Sequence, residues 1–284
     1  MLRTLHLFAG AGGGLLADLI LGHEPVAAVE WDKHCCNVLR ERAADGWFPG
    51  LHVWEGDVRL FDPSEYAGRV DCIAAGFPCQ DISVAGKGAG ITGARSGLVS
   101  EVFRAIDAVR PRFVWLENSP KIRTRGRHVV IGELVARGYA WRDGILGAAD
   151  VGAEHQRDRW WCLAANPDGL RQLESQRRIT HQWRWHDNST QTQAQANSLR
   201  KRCANSSRLS ASSPLAHIGL AVDLESRERP GANGPTWFEA EPNVGSLVYG
   251  LADEMVPGAV KALGNAQVPA QAAAAWAILG GPMT

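Results

Sequence analysis

At 284 residues, 45% apolar and 21% charged, the chain suits one large domain, or one domain carrying a smaller insertion, with length enough to bury a core. Formal net charge is zero, so any nucleic-acid surface must be local. The six cysteines (35, 36, 72, 79, 162 and 203) contain no C-x-x-C pair, which speaks against a disulfide scaffold or structural zinc and for reduced thiols in a cytoplasmic protein without a metal.

Thr4–Phe8 reads as a short strand running into Ala9-Gly10-Ala11-Gly12-Gly13-Gly14 and a helix to Leu21. The apolar stretch from Leu5 is broken by glycines and Asp18, unlike a signal peptide, and no window approaches the ~20 apolar residues of a membrane span. Strand, glycine turn and helix form the first unit of a nucleotide-binding α/β sheet, where a ligand can approach bare backbone. The dinucleotide pattern G-x-G-x-x-G fails because Leu15 stands at the third glycine, which counts against NAD or FAD. Pro25–Asp32 is a second strand ending in an acid: Glu30 is placed either to accept ribose hydroxyls or to cap the next helix, and Trp31 offers a flat face beside it. After a helix at Lys33–Ala44, a strand near Leu51–Trp54 delivers Asp57, which suits either an exocyclic amine or a local turn.

The apolar run Val70–Ala75 is a buried strand whose C-terminal end carries Gly76-Phe77-Pro78-Cys79-Gln80. Ligands of open α/β sheets collect at that edge, so Cys79 is placed for chemistry, although cysteine is most often a small buried filler. A glycine-rich segment, 84–97, holds Lys87 and Arg95 and reads as a lid. Helix Leu98–Val109 leads to the strand Arg112–Leu116, which presents Glu117 at the same edge as the cysteine. Four cations then fall within Lys121–Arg127, either a solvated turn or a phosphate contact. A helix near His128–Arg137, a strand near Tyr139–Leu146 and a strand at Trp160–Ala165 complete this part of the sheet, the last preceded by Arg157-Asp158-Arg159.

From Asn166 the composition turns polar: residues 166–217 hold eight arginines and lysines against three acids, with Trp183 and Trp185 among them. This insertion suits either nucleic-acid contact or a partly disordered linker. Regular character returns near Lys261, where Ala262–Pro269 opens an alanine-rich helix to Leu279 that can pack back on the sheet.

Carbon 5 of cytosine is too poor a nucleophile to attack a methyl donor unaided. A thiolate adding at carbon 6 makes the ring an enamine, and a carboxyl group at N3 supports that addition. Cys79 and Glu117 match the need, with Arg159, and Arg157 beside it, to hold base and acid. The motifs in their order resemble those of the DNA (cytosine-5) methyltransferases over most of 4–165 and again over 261–280. Phe8-Ala9-Gly10-Ala11-Gly12-Gly13 resembles the family's cofactor loop, Glu30-Trp31 and Gly56-Asp57-Val58 the next cofactor segments, and Gly76–Gln80 the nucleophile motif. Glu117-Asn118 resembles the acid motif, Arg157-Asp158-Arg159 the twin-arginine motif, and Gly264–Pro269 the closing segment with its cofactor-contacting Asn265. His155 stands where the family usually has Gln, Ser119 where it usually has Val, and Pro242–Val256 occupies the place of a segment that has no match here.

The resemblance implies a doubly wound, mostly parallel sheet: a catalytic and cofactor-binding domain at 1–165, a target-recognition region at 166–255 and a returning segment at 256–284. It implies S-adenosylmethionine as cofactor, held by Phe8, Gly10, Gly12, Gly13, Glu30, Trp31, Asp57, Val58, Pro78 and Asn265. Double-stranded DNA is the implied partner, with Gln80, Ser83 and Arg95 as contacts and the cytosine flipped into the Cys79 pocket. A restriction-modification setting, a monomer and no obligatory protein partner are further expectations. A transfer-RNA enzyme with the same catalytic parts and a decayed, DNA-occupying homologue are the alternatives.

Overall fold

The computed structural model describes residues 1–78, 97–153, 155–175 and 266–282. Its centre is a seven-stranded sheet of β1 (Arg3–Leu7), β2 (Glu24–Glu30), β3 (His52–Glu55), β4 (Cys72–Gly76), β5 (Phe113–Asn118), β6 (Ala140–Leu146) and β7 (Arg159–Ala165). The spatial order is β3-β2-β1-β4-β5-β7-β6. β7 runs antiparallel to both β5 and β6, and all other pairings are parallel. The doubly wound, mostly parallel sheet expected from the sequence is therefore present.

Both faces are covered, and the period of two along each strand sorts the side chains between them. Ile73, Ala75, Val114, Leu116, Trp160 and Cys162 fall on one face, packed with Val102, Phe103 and Ile106 of α3 (Val99–Val109). Cys72, Ala74, Phe113, Trp115, Trp161 and Leu163 fall on the other, against Ala272–Ala275 and Trp276 of the closing helix, Pro269–Ile278. That helix is apolar nearly all round, as burial between sheet and α1 (Gly13–Leu21) requires. Its one buried amide, Gln271, donates to the carbonyls of Leu146 (2.7 Å) and Arg157 (2.9 Å), fixing the helix to the site side of the sheet. Trp115 stacks on Trp161 with ring centroids 5.2 Å apart, and Trp276 meets Trp115 edge-on at 5.3 Å.

Two features of the fold differ from the sequence reading. The polar composition beginning at Asn166 does not mark the end of packing on the sheet. Pro167–Ser175 is a helix, Leu170 and Leu173 join the second core face, and the Asn166 N–H donates to Arg112 O at 3.0 Å. The closing helix begins at Pro269, where a missing N–H is harmless and φ is pre-set, so Ala266–Val268 stay extended and free to line a site. The rest of the recognition region (176–255) and most of the lid (84–96) lie outside the described residues.

Candidate active site

The strand order reverses between β1 and β4, and the crevice at their C-terminal ends is where such sheets take ligands. Here it is a partly open cleft, lined by His6, Phe8, Gly10, Gly76, Glu117 and Gln267 among others. One wall is the turn after β1. Phe8 is held at φ 57, a costly conformation for a bulky residue, and Gly10 follows at φ 56. A Cβ on Gly10 would meet nothing within 4 Å, so its bare backbone faces open space.

Glu30, at the end of β2, ties this turn down. Its Oε2 accepts the Gly10 N–H at 2.7 Å, and Oε1 accepts those of Trp31 (2.9 Å) and Asp32 (2.8 Å). The helix-cap alternative fails, because Asp32 caps α2 (Lys33–Ala44) by accepting from His34 and Cys35. With two amides on Oε1, Oε2 is the oxygen that keeps a free lone pair. Trp31 stands beside it, 69% exposed. Asp57 is used locally: it caps the 3-10 turn Val58–Leu60 and pairs with the Arg59 side chain, whose hydrogen bond holds the Asp57 carboxyl below its ordinary range. Val58 is buried in the core, and its carbonyl accepts from Arg104 at 2.8 Å.

The opposite wall carries the acid. Gly76 on β4 is in register with Glu117 on β5, so both strands end together. Glu117 accepts from Arg159 Nε at 2.9 Å, across the β5–β7 pairing. Burial raises its carboxyl above the ordinary value, opposed by the charge of Arg159, a hydrogen bond from Gln267 and the charge of Arg157. Arg157 itself reaches elsewhere, donating to the Ala266 carbonyl, so it braces the closing segment. Asn118 binds the turn that follows β4: its Nδ2 donates to Phe77 O at 2.8 Å, while its Oδ1 accepts from the Ser119 N–H, also at 2.8 Å. Pro78, exposed at the strand end, is the last described residue before Cys79.

Cys79, Gln80, Ser83, Arg95 and Asn265 lie outside the described residues. Cys35, Cys36, Cys72 and Cys162 are free and buried. Burial pushes the Cys36 thiol up to about 11 and holds those of Cys72 and Cys162 well above the ordinary value, which suits fillers and not nucleophiles. Among the described residues no group of three or more His, Cys, Asp or Glu side chains is arranged to hold a metal, and no helix is long and apolar enough to cross a membrane.

Two residues the sequence reading passed over line the cleft: His6 and Gln267. His6 carried a signal, being polar at an inward position of an apolar strand. Gln267 lay inside a quoted motif without a role. Gly13 also gains a meaning beyond the turn: a Cβ there would stand 2.1 Å from the Gln267 carbonyl oxygen, so its bareness admits the closing segment.

A family model described as C-5 cytosine-specific DNA methylase matches residues 2–215. The chain belongs to this family. The Type II methyltransferase M.CviJI of Paramecium bursaria Chlorella virus IL3A is 36% identical over 168 residues, 58% of this chain and 44% of that protein. M.NgoBI of Neisseria gonorrhoeae is 32% identical over 163 residues, 56% of this chain and 49% of that protein. The chain thus spans about half the length of these curated relatives. A prophage-encoded DNA modification methyltransferase of E. coli superposes with a TM-score of 0.48 and 26% identity, covering 60% of this chain and 48% of that one.

Proposed function

We propose that the protein transfers a methyl group from S-adenosylmethionine to carbon 5 of a cytosine flipped out of duplex DNA, through a covalent bond from Cys79 to carbon 6. The observation that carries this reading is Glu117. It is a buried acid at the end of β5, braced by Arg159 and in register with the strand that runs directly into Pro78-Cys79. The cleft fits the cofactor: open backbone at Gly10, one oxygen of Glu30 able to accept a ribose hydroxyl, and Trp31 exposed as a stacking face. Asp57 reaches an adenine amine only after releasing Arg59, whose side chain is 64% exposed and free to swing away. When bound, S-adenosylmethionine supplies an electrophilic methyl group.

The chain's own residues do the rest. The Cys79 sulfur adds to carbon 6, and the Glu117 carboxyl hydrogen-bonds or protonates N3, so the displaced electron pair activates carbon 5. Once carbon 5 carries the methyl, loss of its proton to a base expels the Cys79 thiolate and restores the ring double bond. Glu117 takes back the N3 proton at that stage. Its raised proton affinity keeps more of the acid form available near neutrality than an exposed glutamate would have.

The deciding experiment offers the purified chain and S-adenosylmethionine to unmethylated duplex DNA and, separately, to transfer RNA, with bisulfite sequencing of both. Methylated cytosines in a recurrent DNA sequence are expected. Methylation confined to RNA would replace the substrate, and none on either would leave a binding protein.

The cation cluster after β5 belongs to this reading. Lys121 and Arg125 are exposed beside the site edge, on a turn pinned by buried Ile122, whereas Arg127 is buried in an ion pair with Asp143. Neither exposed cation has an ionic partner among the described residues. We expect both to meet phosphates of the bound strand. Replacing the two with alanine should weaken DNA binding at every sequence and reduce the salt slope, d log K/d log[salt], by about 2. An unchanged slope would return the cluster to plain solvent.

A further inference from the structure

The polar groups left over by that reaction are gathered under the cleft. Thr4 and His6 of β1, Asp18 of α1 and His23 form one buried cluster on the far side of the glycine turn. Between the cluster and Glu117 stands Gln267. A Cβ added at Gly76 would lie 3.0 Å from Glu117 Oε2 and 3.1 Å from Gln267 Nε2, so the two side chains meet over one bare glycine. At its other end, Gln267 Oε1 lies 2.8 Å, and His6 Nδ1 3.2 Å, from the Cβ position of Gly14. The amide is held from three sides: its backbone presses on Gly13, the preceding carbonyl accepts from Arg157, and α1 flanks it at Gly14.

We propose that Gln267 is a positioning residue for Glu117: its clamped amide fixes the direction of the carboxyl and donates to its charged form. The proposal rests on the methyl-transfer reading for its purpose, though not for its measurement. The groups facing Glu117 are Arg159 on β7, Arg157 on the segment before β7, Gln267 on the closing segment, and Gly76 on β4, which offers no side chain. His6, on β1, stands behind Gln267 and is tied to Asp18 through Nε2 at 2.6 Å. Gln267 is the uncharged donor of the set, so its removal isolates one hydrogen bond without removing a charge.

The test is Gln267→Met, which keeps length and volume and deletes the donor. Carbon-13 NMR of the labelled Glu117 carboxyl should show its titration moving to higher pH than in the parent, because the charged form loses a donor. Protonated Glu117 serves the reaction, so the alkaline limb of the pH–rate profile should move upward too. kcat should fall about tenfold or more, the scale of one hydrogen bond to a charged group. Gln267→Glu keeps the shape of the residue and sets a like charge beside the acid, so it should move the titration the same way. It carries the test should the methionine variant not fold. A Glu117 titration unchanged in the folded variants would overturn the proposal. An inactive parent would instead sink the methyl-transfer reading, and the NMR comparison distinguishes the two.

Discussion

Cys79→Ser is expected to abolish methyl transfer, a loss on the order of 10⁴-fold or more, the scale of removing a nucleophile. Binding of S-adenosylmethionine, measured by calorimetry, should survive. The thiolate is reachable near neutral pH, where a serine alkoxide is not, and carbon 6 of an aromatic base demands the stronger nucleophile. β4 ends at Gly76, in register with Glu117, and Asn118 pins Phe77 O at 2.8 Å, so the backbone at Phe77, two residues before Cys79 in the chain, is fixed. A duplex carrying 5-fluorocytosine gives the positive counterpart. Fluorine at carbon 5 cannot leave as a cation, so the proton-loss step is blocked and Cys79 should stay bonded to the base, visible as a protein–DNA species on a denaturing gel. The serine variant should give none. An active serine variant would contradict covalent catalysis while leaving the family untouched.

The strand ends were legible because each pairs an apolar run with an abrupt acid or glycine: Phe113–Leu116 then Glu117, Cys72–Ala75 then Gly76. Such runs are the sequence's record of burial on both faces. What an acid does once delivered was less legible. Glu30 spends most of its lone pairs on three backbone amides, and Asp57 spends its own on Arg59, two residues away. Both partners follow from local turn geometry, which composition and spacing do not specify. The least legible relation is the longest. Gly13, Gly14 and Gly76 read as features of separate turns, yet all three are crowded by Gln267. A glycine required by a close approach looks in the sequence like one required by a turn. The helix Pro167–Ser175 was missed for another reason: averaging composition over the polar stretch hides a nine-residue segment with Leu170 and Leu173 on one face.

Asp18→Ala should destabilise the fold by about 3–5 kcal/mol, the cost of removing one member of a buried ionic group. Asp18 is 7% exposed in the middle of α1. Its Oδ2 lies 2.5 Å from Thr4 Oγ1 and 2.6 Å from His6 Nε2, and Oδ1 lies 3.4 Å from His23 Nδ1. His23 in turn bonds the Pro282 carbonyl through Nε2 at 3.1 Å and meets Trp276 edge-on, so the cluster joins α1 to the returning C-terminal segment. Burial alone would raise the Asp18 carboxyl. The pull of His6 and the hydrogen bonds of His23, His6 and Thr4 outweigh it and lower it to about 2 from 3.8. A depressed carboxylate stabilises the folded state above its unfolded value and loses that contribution as pH falls through its folded value. The difference in urea stability between parent and variant should therefore be largest above about pH 4 and shrink by about 2 kcal/mol as pH falls towards 2. Other carboxylates titrate in both proteins and cancel in that difference. A gap that stays constant through this range would mean that Asp18 is not the anion of the cluster, and that the histidines hold α1 to the C-terminal segment without it.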